Sequence, residues 1–394
     1  MERTGSDIGK AAGAGPTRRL RPRGALYAID LLRFGAAMLV LLFHYFAGYA
    51  SPGHRLAARF LDQGLLPDAG RLYAGYGWIG VEIFFVISGY VIAISAHGSK
   101  ALPFARRRVL RLWPAALICA SFSFVLLWPF DPRATHLDEY WRSAMLWPWG
   151  DYIDDSYWTL GIECVFYALV ALLLRISPGR DRIEWLALAL GLISLTFWLW
   201  GGDLPRLSLR NEQLLLLPHG CFFAIGVLLH RWHAGHRGIR RLLALALFAL
   251  PALLSIGARN ANTAFGMRIA YDGRVAAALF VAATLVVMLA PRLQPLLERR
   301  LPRRPVLLLG LATYPLYLIH QTLGLILIGG LLRLGVAYVP SALIALAAIT
   351  VTAIAIAAWV EPALRRLLDR ALPFSVRRRD PAPDRRPNAS PTGG

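Results

Sequence analysis

Residues 26–47 read LYAIDLLRFGAAMLVLLFHYFA. At 1.5 Å per residue such a run makes a helix of about 33 Å, enough to cross a hydrocarbon layer of roughly 30 Å. Lipid offers no water to the backbone, so a crossing segment must close its own hydrogen bonds as a helix. The run is longer than the apolar region of a signal peptide and carries Asp30, Arg33 and His44, so a cleaved leader is not the reading. Nine similar stretches follow, at 77–97, 109–129, 157–175, 183–200, 213–230, 240–257, 274–291, 305–331 and 339–360. The expected fold is all-α, a polytopic transmembrane helical bundle of about ten spans.

Composition agrees. Of 394 residues 57% are apolar and only 17% charged, where a soluble domain carries about 25% charged residues. Mean hydropathy is +0.50. The net charge of +20 would suit nucleic acid, but its distribution points elsewhere. With the N-terminus inside and alternation thereafter, 31 Lys and Arg fall in cytoplasmic segments and 11 in outer ones. That asymmetry is the positive-inside pattern, and it predicts both termini in the cytoplasm of a lipid bilayer protein, with no nucleic-acid partner. Residues 1–25 form a basic N-terminal tail, 26–362 the membrane domain, and 363–394 a C-terminal tail. From Pro373 that tail is rich in Arg, Pro and Gly and is expected to be partly disordered, which makes the sequon at Asn388 irrelevant. Cys119, Cys164 and Cys221 lie in apolar segments without metal-ligand spacing and read as buried thiols. No metal site, P-loop, dinucleotide fingerprint or nucleophile elbow is present in the sequence.

Ionisable residues inside spans are costly and by default mark function. Here they are Asp30, Arg33, His44, Glu82, Glu163, His320 and Glu361. Arg33 and His44 are eleven positions apart, three turns plus about 20°, so they share a helix face with Asp30, and His44 sits about 16 Å further out. An imidazole suits proton transfer near neutral pH; a structural histidine bridging two helices is the competing reading. Glu163 is expected in the outer half too, where it orients a histidine, binds a hydroxyl, or sits protonated against the backbone. Glu82 is a weaker candidate for the same neighbourhood. Arg106, Arg107, Arg108 and Arg111 open the third span from the cytoplasmic side, as a membrane anchor or as a phosphate site. Tyr314, Tyr317 and His320 recur at i, i+3 and i+6 around Pro315, as a channel lining or a polar seam. The small pair Ser88-Gly89 permits close helix approach. The loop around 130–156 carries Asp131, Asp138, Glu139, Asp151, Asp154 and Asp155 with Trp141, Trp147 and Trp149; an interfacial aromatic belt is preferred there over a sugar-stacking surface.

Taken in order, these pieces resemble the integral-membrane acyltransferase family 3, bacterial O-acyltransferases of extracytoplasmic sugars. The resemblance runs from about 26 to 362. It rests on Asp30-Leu31-Leu32-Arg33 with His44 following, on the run from Gly77 to Gly89, on the arginines before Leu112-Trp113-Pro114, on Trp158-Thr159-Leu160 with Glu163 and Tyr167, on Tyr314 to His320, and on Glu361-Pro362. It implies an acyl-CoA donor, most simply acetyl-CoA, and a carbohydrate or glycolipid acceptor, with no permanently bound cofactor. It implies His44 as catalytic base, Arg33 as a group that helps hold the acyl donor or orders the pore, Glu163 as support for the histidine or the acceptor, and Arg108 and Arg111 with Arg106 and Arg107 as the holders of CoA phosphates. Asp30, Glu82, Tyr314, Tyr317 and His320 would line the substrate path. Cys164 stands where many relatives carry a second acid, so any role of that acid is absent. No fused hydrolase-like domain follows, so the chain is expected to act alone, as a homo-oligomer, or with a separate extracytoplasmic partner. The expected location is the bacterial inner membrane. A proton-coupled transporter or lipid flippase, using the same buried groups as a relay, is the alternative; a purely structural membrane protein leaves those groups unexplained.

Overall fold

The computed structural model describes residues 26–51, 54, 56–61, 68–130 and 135–371. The basic N-terminal tail, Asp131 and the tail from Pro373 with Asn388 lie outside the described residues. Ten helices form the frame: α1 (Tyr27–Phe46), α2 (Gly80–Ala96), α3 (Ala101–Leu127), α4 (Trp158–Ile176), α5 (Ile183–Leu199), α6 (Gly220–His233), α7 (Ile239–Met267), α8 (Gly273–Arg300), α9 (Arg303–Arg333) and α10 (Tyr338–Ala355). A π-helical turn at Ile356–Val360 leads from α10 into an amphipathic helix, α11 (Glu361–Ala371). The described residues contain no strand.

The helices alternate in direction. At one end the C-terminus of α2 meets the start of α3 through Ser95 and Arg108, 3.1 Å apart. At that same end the Tyr27 amide reaches Gln294 near the end of α8 (3.0 Å), and Arg365 reaches the Leu110 carbonyl (2.9 Å). The opposite end gathers the C-terminus of α1, the start of α10 and the loop before α4, where Tyr338 donates to the Tyr45 carbonyl and the Thr322 amide to Asp154. We call these the arginine end and the histidine end.

Eight of the described helices are long and apolar enough to cross a membrane. The two exceptions are α5, with 17 residues, and α6, with 14. They are about 26 and 21 Å long, so the expected count of ten rests on whether these two cross. The outer surface is apolar where a soluble protein would be polar: Leu250, Leu253, Leu285 and Met288 are exposed on α7 and α8. Such a face belongs against lipid. Helices α2 and α9 are the most enclosed of the eight long spans, and with the short, mostly buried α6 they form the centre.

Close packing at the centre depends on missing side chains. Gly89 of α2 lies against the Phe223 backbone of α6, and Gly226 of α6 against the Val86 carbonyl of α2. Lipid tails are as apolar as Leu, so helix association in a bilayer relies on this contact rather than on apolar burial. Gly89 is the small residue singled out in the sequence.

Two boundaries differ from expectation. The seventh span continues past residue 257 to Met267. Arg259 and Asn260 ended the apolar run, yet the helix persists because both side chains turn inward on a polar region. The last helix does not stop at 362 but carries on to Ala371, so residues counted with the tail are packed against α3. The three cysteines carry free thiols.

Candidate active site

A cavity of about 440 Å³ opens among α1, α2, α3, α4, α9 and α11. Its size falls within the usual range for a small-molecule site. Five guanidinium groups line it, those of Arg33, Arg107, Arg108, Arg111 and Arg365. Four of them are held from behind. Arg107 donates to Ser99 Oγ at 2.7 Å, and Arg108 to Ser95 Oγ at 3.1 Å. Arg111 and Arg365 share Glu361 Oε1, at 3.3 and 2.7 Å. Guanidinium is always charged and its planar fork matches phosphate oxygens, so this concentration of charge has the chemistry to hold an anion.

Seven residues expected from sequence therefore meet in one place: Arg33, Arg107, Arg108, Arg111, Glu163, Tyr314 and Tyr317. Arg106 does not line the cavity. Asp30 lies behind it, within electrostatic reach of Arg33 and Arg111 and pressed against Gly310, where a Cβ would come within 2.8 Å of the carboxylate. Glu163 accepts from Tyr167 Oη at 3.0 Å, and Ser88 Oγ lies 3.1 Å from that hydroxyl.

Of the roles open to Glu163, orienting His44 would need contact between the two, and the structure shows none. Instead Glu163 faces the cavity beside Arg33, Arg108 and Tyr167. It sits at the level of Arg33 rather than in the outer half with His44, and the packing of α4 turns it toward the arginines. Glu82 likewise parts from the histidines' immediate contacts. It is buried on α2, within electrostatic reach of Arg259, and one of its carboxyl oxygens has no partner.

His44 stands at the far end of α1 with His320. Their ring centroids are 5.1 Å apart. His54 joins at 6.3 Å from His44, and Gln321 Nε2 lies 3.5 Å from His44 Nε2. His320 Nδ1 is 2.7 Å from the Tyr317 carbonyl. A carbonyl only accepts, so this contact puts the proton on Nδ1 and the lone pair on Nε2. That Nε2 and His44 Nδ1 both lack a partner. His44 Nδ1 faces Gly48, where even a methyl group would approach to 3.0 Å. The Nδ1 of His44 is thus a buried ring nitrogen with no hydrogen-bond partner.

Tyr317 joins the two halves. It lines the cavity, and its ring lies 5.7 Å from that of His320. Thr159 Oγ1 holds its hydroxyl at 3.2 Å. An extended chain passing Tyr317 would run from the arginines to the histidines.

Sequence reasoning missed four participants. Arg259 was assigned to an outer loop. In the fold its guanidinium lies over two indoles, 6.0 Å from the Trp78 ring centroid and 5.7 Å from that of Trp158, within electrostatic reach of His44 and Glu82. Arg365 was assigned to the tail. His54 and Asp154 were left in loops. The available signal for Asp154 was its place just before the Trp158 run. It is fully buried and accepts from Ser156 N (3.0 Å), Ser156 Oγ and Thr322 N (3.1 Å). Burial pushes its carboxyl up to about 6 although three donors reach it. It pins the loop to α9 two residues beyond His320. Asp154→Ala strands these donors in a dry interior and is expected to cost about 3 kcal/mol, read as a lowered melting temperature in detergent.

The family of acyltransferase domains now accounts for this arrangement: the family 3 acyltransferase domain matches residues 26–360, from the start of α1 to the π-helical turn. The chain belongs to acyltransferase family 3. No curated protein and no solved structure matches this acyltransferase. The matched span contains His44, both arginine-bearing helices α1 and α3, and the whole of α9. The protein is a multi-pass membrane acyltransferase, and the transporter or flippase alternative draws no support from the family. The match ends before Glu361, so α11 and Arg365 fall outside it.

Proposed function

We propose that this acyltransferase moves an acyl group, most simply acetyl, from acyl-CoA to a hydroxyl of an extracytoplasmic carbohydrate or glycolipid. The arginine end faces the cytoplasm in this reading, as the loop charges require, and the membrane is the bacterial inner membrane. One observation supports it: Tyr317 lines the arginine cavity and also packs on His320, whose Nε2, like the Nδ1 of the neighbouring His44, has no hydrogen-bond partner. A donor with phosphates at one end and a thioester at the tip of a long arm suits that separation.

In this mechanism Arg107, Arg108 and Arg111 hold the donor phosphates. The pantetheine arm runs past Tyr314 and Tyr317, where the unpartnered Tyr314 hydroxyl meets its amides. His44 takes the acceptor hydroxyl proton as the oxygen attacks the thioester carbonyl. The C–O bond forms, the C–S bond breaks, and the imidazolium returns its proton to the departing thiolate. The products are the O-acyl ester and CoA. Glu163 and Arg33 hold the middle of the path, and Asp30 backs Arg33. His320 positions His44, with its own proton fixed on Tyr317. Glu82 and Arg259, between the Trp78 and Trp158 rings, offer a carboxylate and a guanidinium to acceptor hydroxyls.

The test is binding and turnover of labelled acetyl-CoA by the purified protein in nanodiscs. Saturable binding, with slow release of label to water, is expected. Arg108→Ala is expected to weaken binding about tenfold. A folded protein that binds neither acetyl-CoA nor longer acyl-CoAs would sink the reading.

A further inference from the structure

Glu361 is set directly on two arginines of the cavity, Arg111 and Arg365. It is 3% exposed, and a single oxygen, Oε1, is shared by Arg111 and Arg365. The other, Oε2, has no hydrogen-bond partner. A carboxylate that served only to brace two guanidiniums would use both oxygens, since a fork-to-fork contact is the stronger one. Half of this buried carboxylate is left unsatisfied, which is costly in a dry interior. The residue follows directly on the π-helical turn Ile356–Val360, an irregularity that occurs mostly at functional positions.

Arg365 is placed differently from the other four cations. It comes from α11, beyond the matched family domain, and its Nε is fixed by the Leu110 carbonyl at 2.9 Å. Its side chain is 38% exposed, against 20% for Arg111 and 4% for Glu361. It therefore stands at the mouth of the cavity, with Arg111 further in and the carboxylate between them. Two guanidiniums converging on one acceptor oxygen form the geometry of a phosphate site already filled by an internal anion.

We infer that Glu361 is a displaceable counter-ion occupying a phosphate-monoester subsite formed by Arg111 and Arg365 at the mouth of the donor cavity. The inference rests on the acyl-CoA reading of that cavity. In the empty enzyme Glu361 neutralises the two arginines and keeps the mouth from self-repulsion. On donor binding the terminal 3′-phosphate of CoA, a dianion, takes both guanidiniums. The carboxylate is then released toward its unused side. The pyrophosphate remains with Arg107 and Arg108, about one turn away on the same helix. No covalent step is involved; the exchange is one anion for another.

The probes are CoA and 3′-dephospho-CoA, titrated calorimetrically into the nanodisc-embedded protein. Arg365→Ala is expected to raise the Kd for CoA about tenfold and to leave that for 3′-dephospho-CoA within twofold. Arg365→Lys is expected to recover part of the loss. Glu361→Gln removes the competing anion without changing shape, and is expected to lower the Kd for CoA severalfold while the melting temperature without ligand falls. A brace with no ligand role would instead leave the CoA Kd unchanged in Arg365→Ala, or weaken it in Glu361→Gln; either result overturns the inference while the wild type still binds CoA. Equal losses for both probes in Arg365→Ala would overturn the assignment to the 3′-phosphate. Absence of CoA binding by the wild type is a different result and removes the donor reading itself.

Discussion

His44→Ala is expected to lower kcat for acyl transfer about a thousandfold while the Kd for CoA stays within twofold of wild type. The split follows from the distance between the two halves of the site. His44 lies about eleven residues along α1 from Arg33, some 16 Å of rise, so its loss does not disturb the arginines. Its Nδ1 has no partner and its ring leans on His320, so truncation breaks no strong hydrogen bond of the fold. The readout is release of labelled acetate from acetyl-CoA, which uses water as acceptor and needs no knowledge of the sugar. Calorimetry on the same preparation gives CoA binding. If turnover survived in a folded His44→Ala protein, the base would lie elsewhere. His320, whose Nε2 is also unpartnered, would then be the residue to replace.

Gly226→Val is expected to remove the folded protein from detergent extracts altogether. A Cβ on Gly226 would overlap the Val86 carbonyl and crowd the Tyr90 amide, and backbone atoms do not swing aside as a side-chain tip does. Accommodation requires α6 to lift from α2, its main packing partner. Overpacking of an ordinary core costs about 1–3 kcal/mol, and a backbone clash at the bundle centre exceeds that. Gly35→Ala is the control. Nothing lies within 4 Å of a Cβ there, and the position is exposed on α1. Replacing a mid-helix glycine by alanine is worth up to about 1 kcal/mol in its favour. Monodisperse elution by size-exclusion chromatography with wild-type yield for Gly226→Val would show that α2 and α6 are not in the contact described.

Much of the site was legible because buried charge is rare in a membrane. Arg33, Arg107, Arg108, Arg111, Glu163, Tyr314 and Tyr317 stood out in apolar runs, and they line one cavity. His44 and His320 stood out for the same reason and lie together. Glu163 lies with the arginines and not with His44, because sequence gives neither the exact depth of a helix in the bundle nor its rotation against neighbours. Arg259 and Arg365 were missed for a related reason. Each follows an apolar run, and a polar residue past the end of such a run looks like loop. Only the packing shows that the helix continues and that the side chain turns inward.

The sequence by itself determined the solvent and the fold class. Apolar runs of span length leave helices as the structure that satisfies the backbone in lipid. It also supplied the ordered motifs that mark the family. The tertiary structure decided which face of each helix points inward, and with it the partition into an arginine cavity and a histidine cluster joined at Tyr317. The physical reason is that spans of similar hydropathy are nearly interchangeable to the bilayer. Their rotations and partners are set by close contacts between particular backbones, such as Gly89 against Phe223 and Gly226 against Val86, and by buried polar bonds such as Asp154 to Thr322. These contacts join residues far apart in the chain, and a one-dimensional pattern carries no record of them.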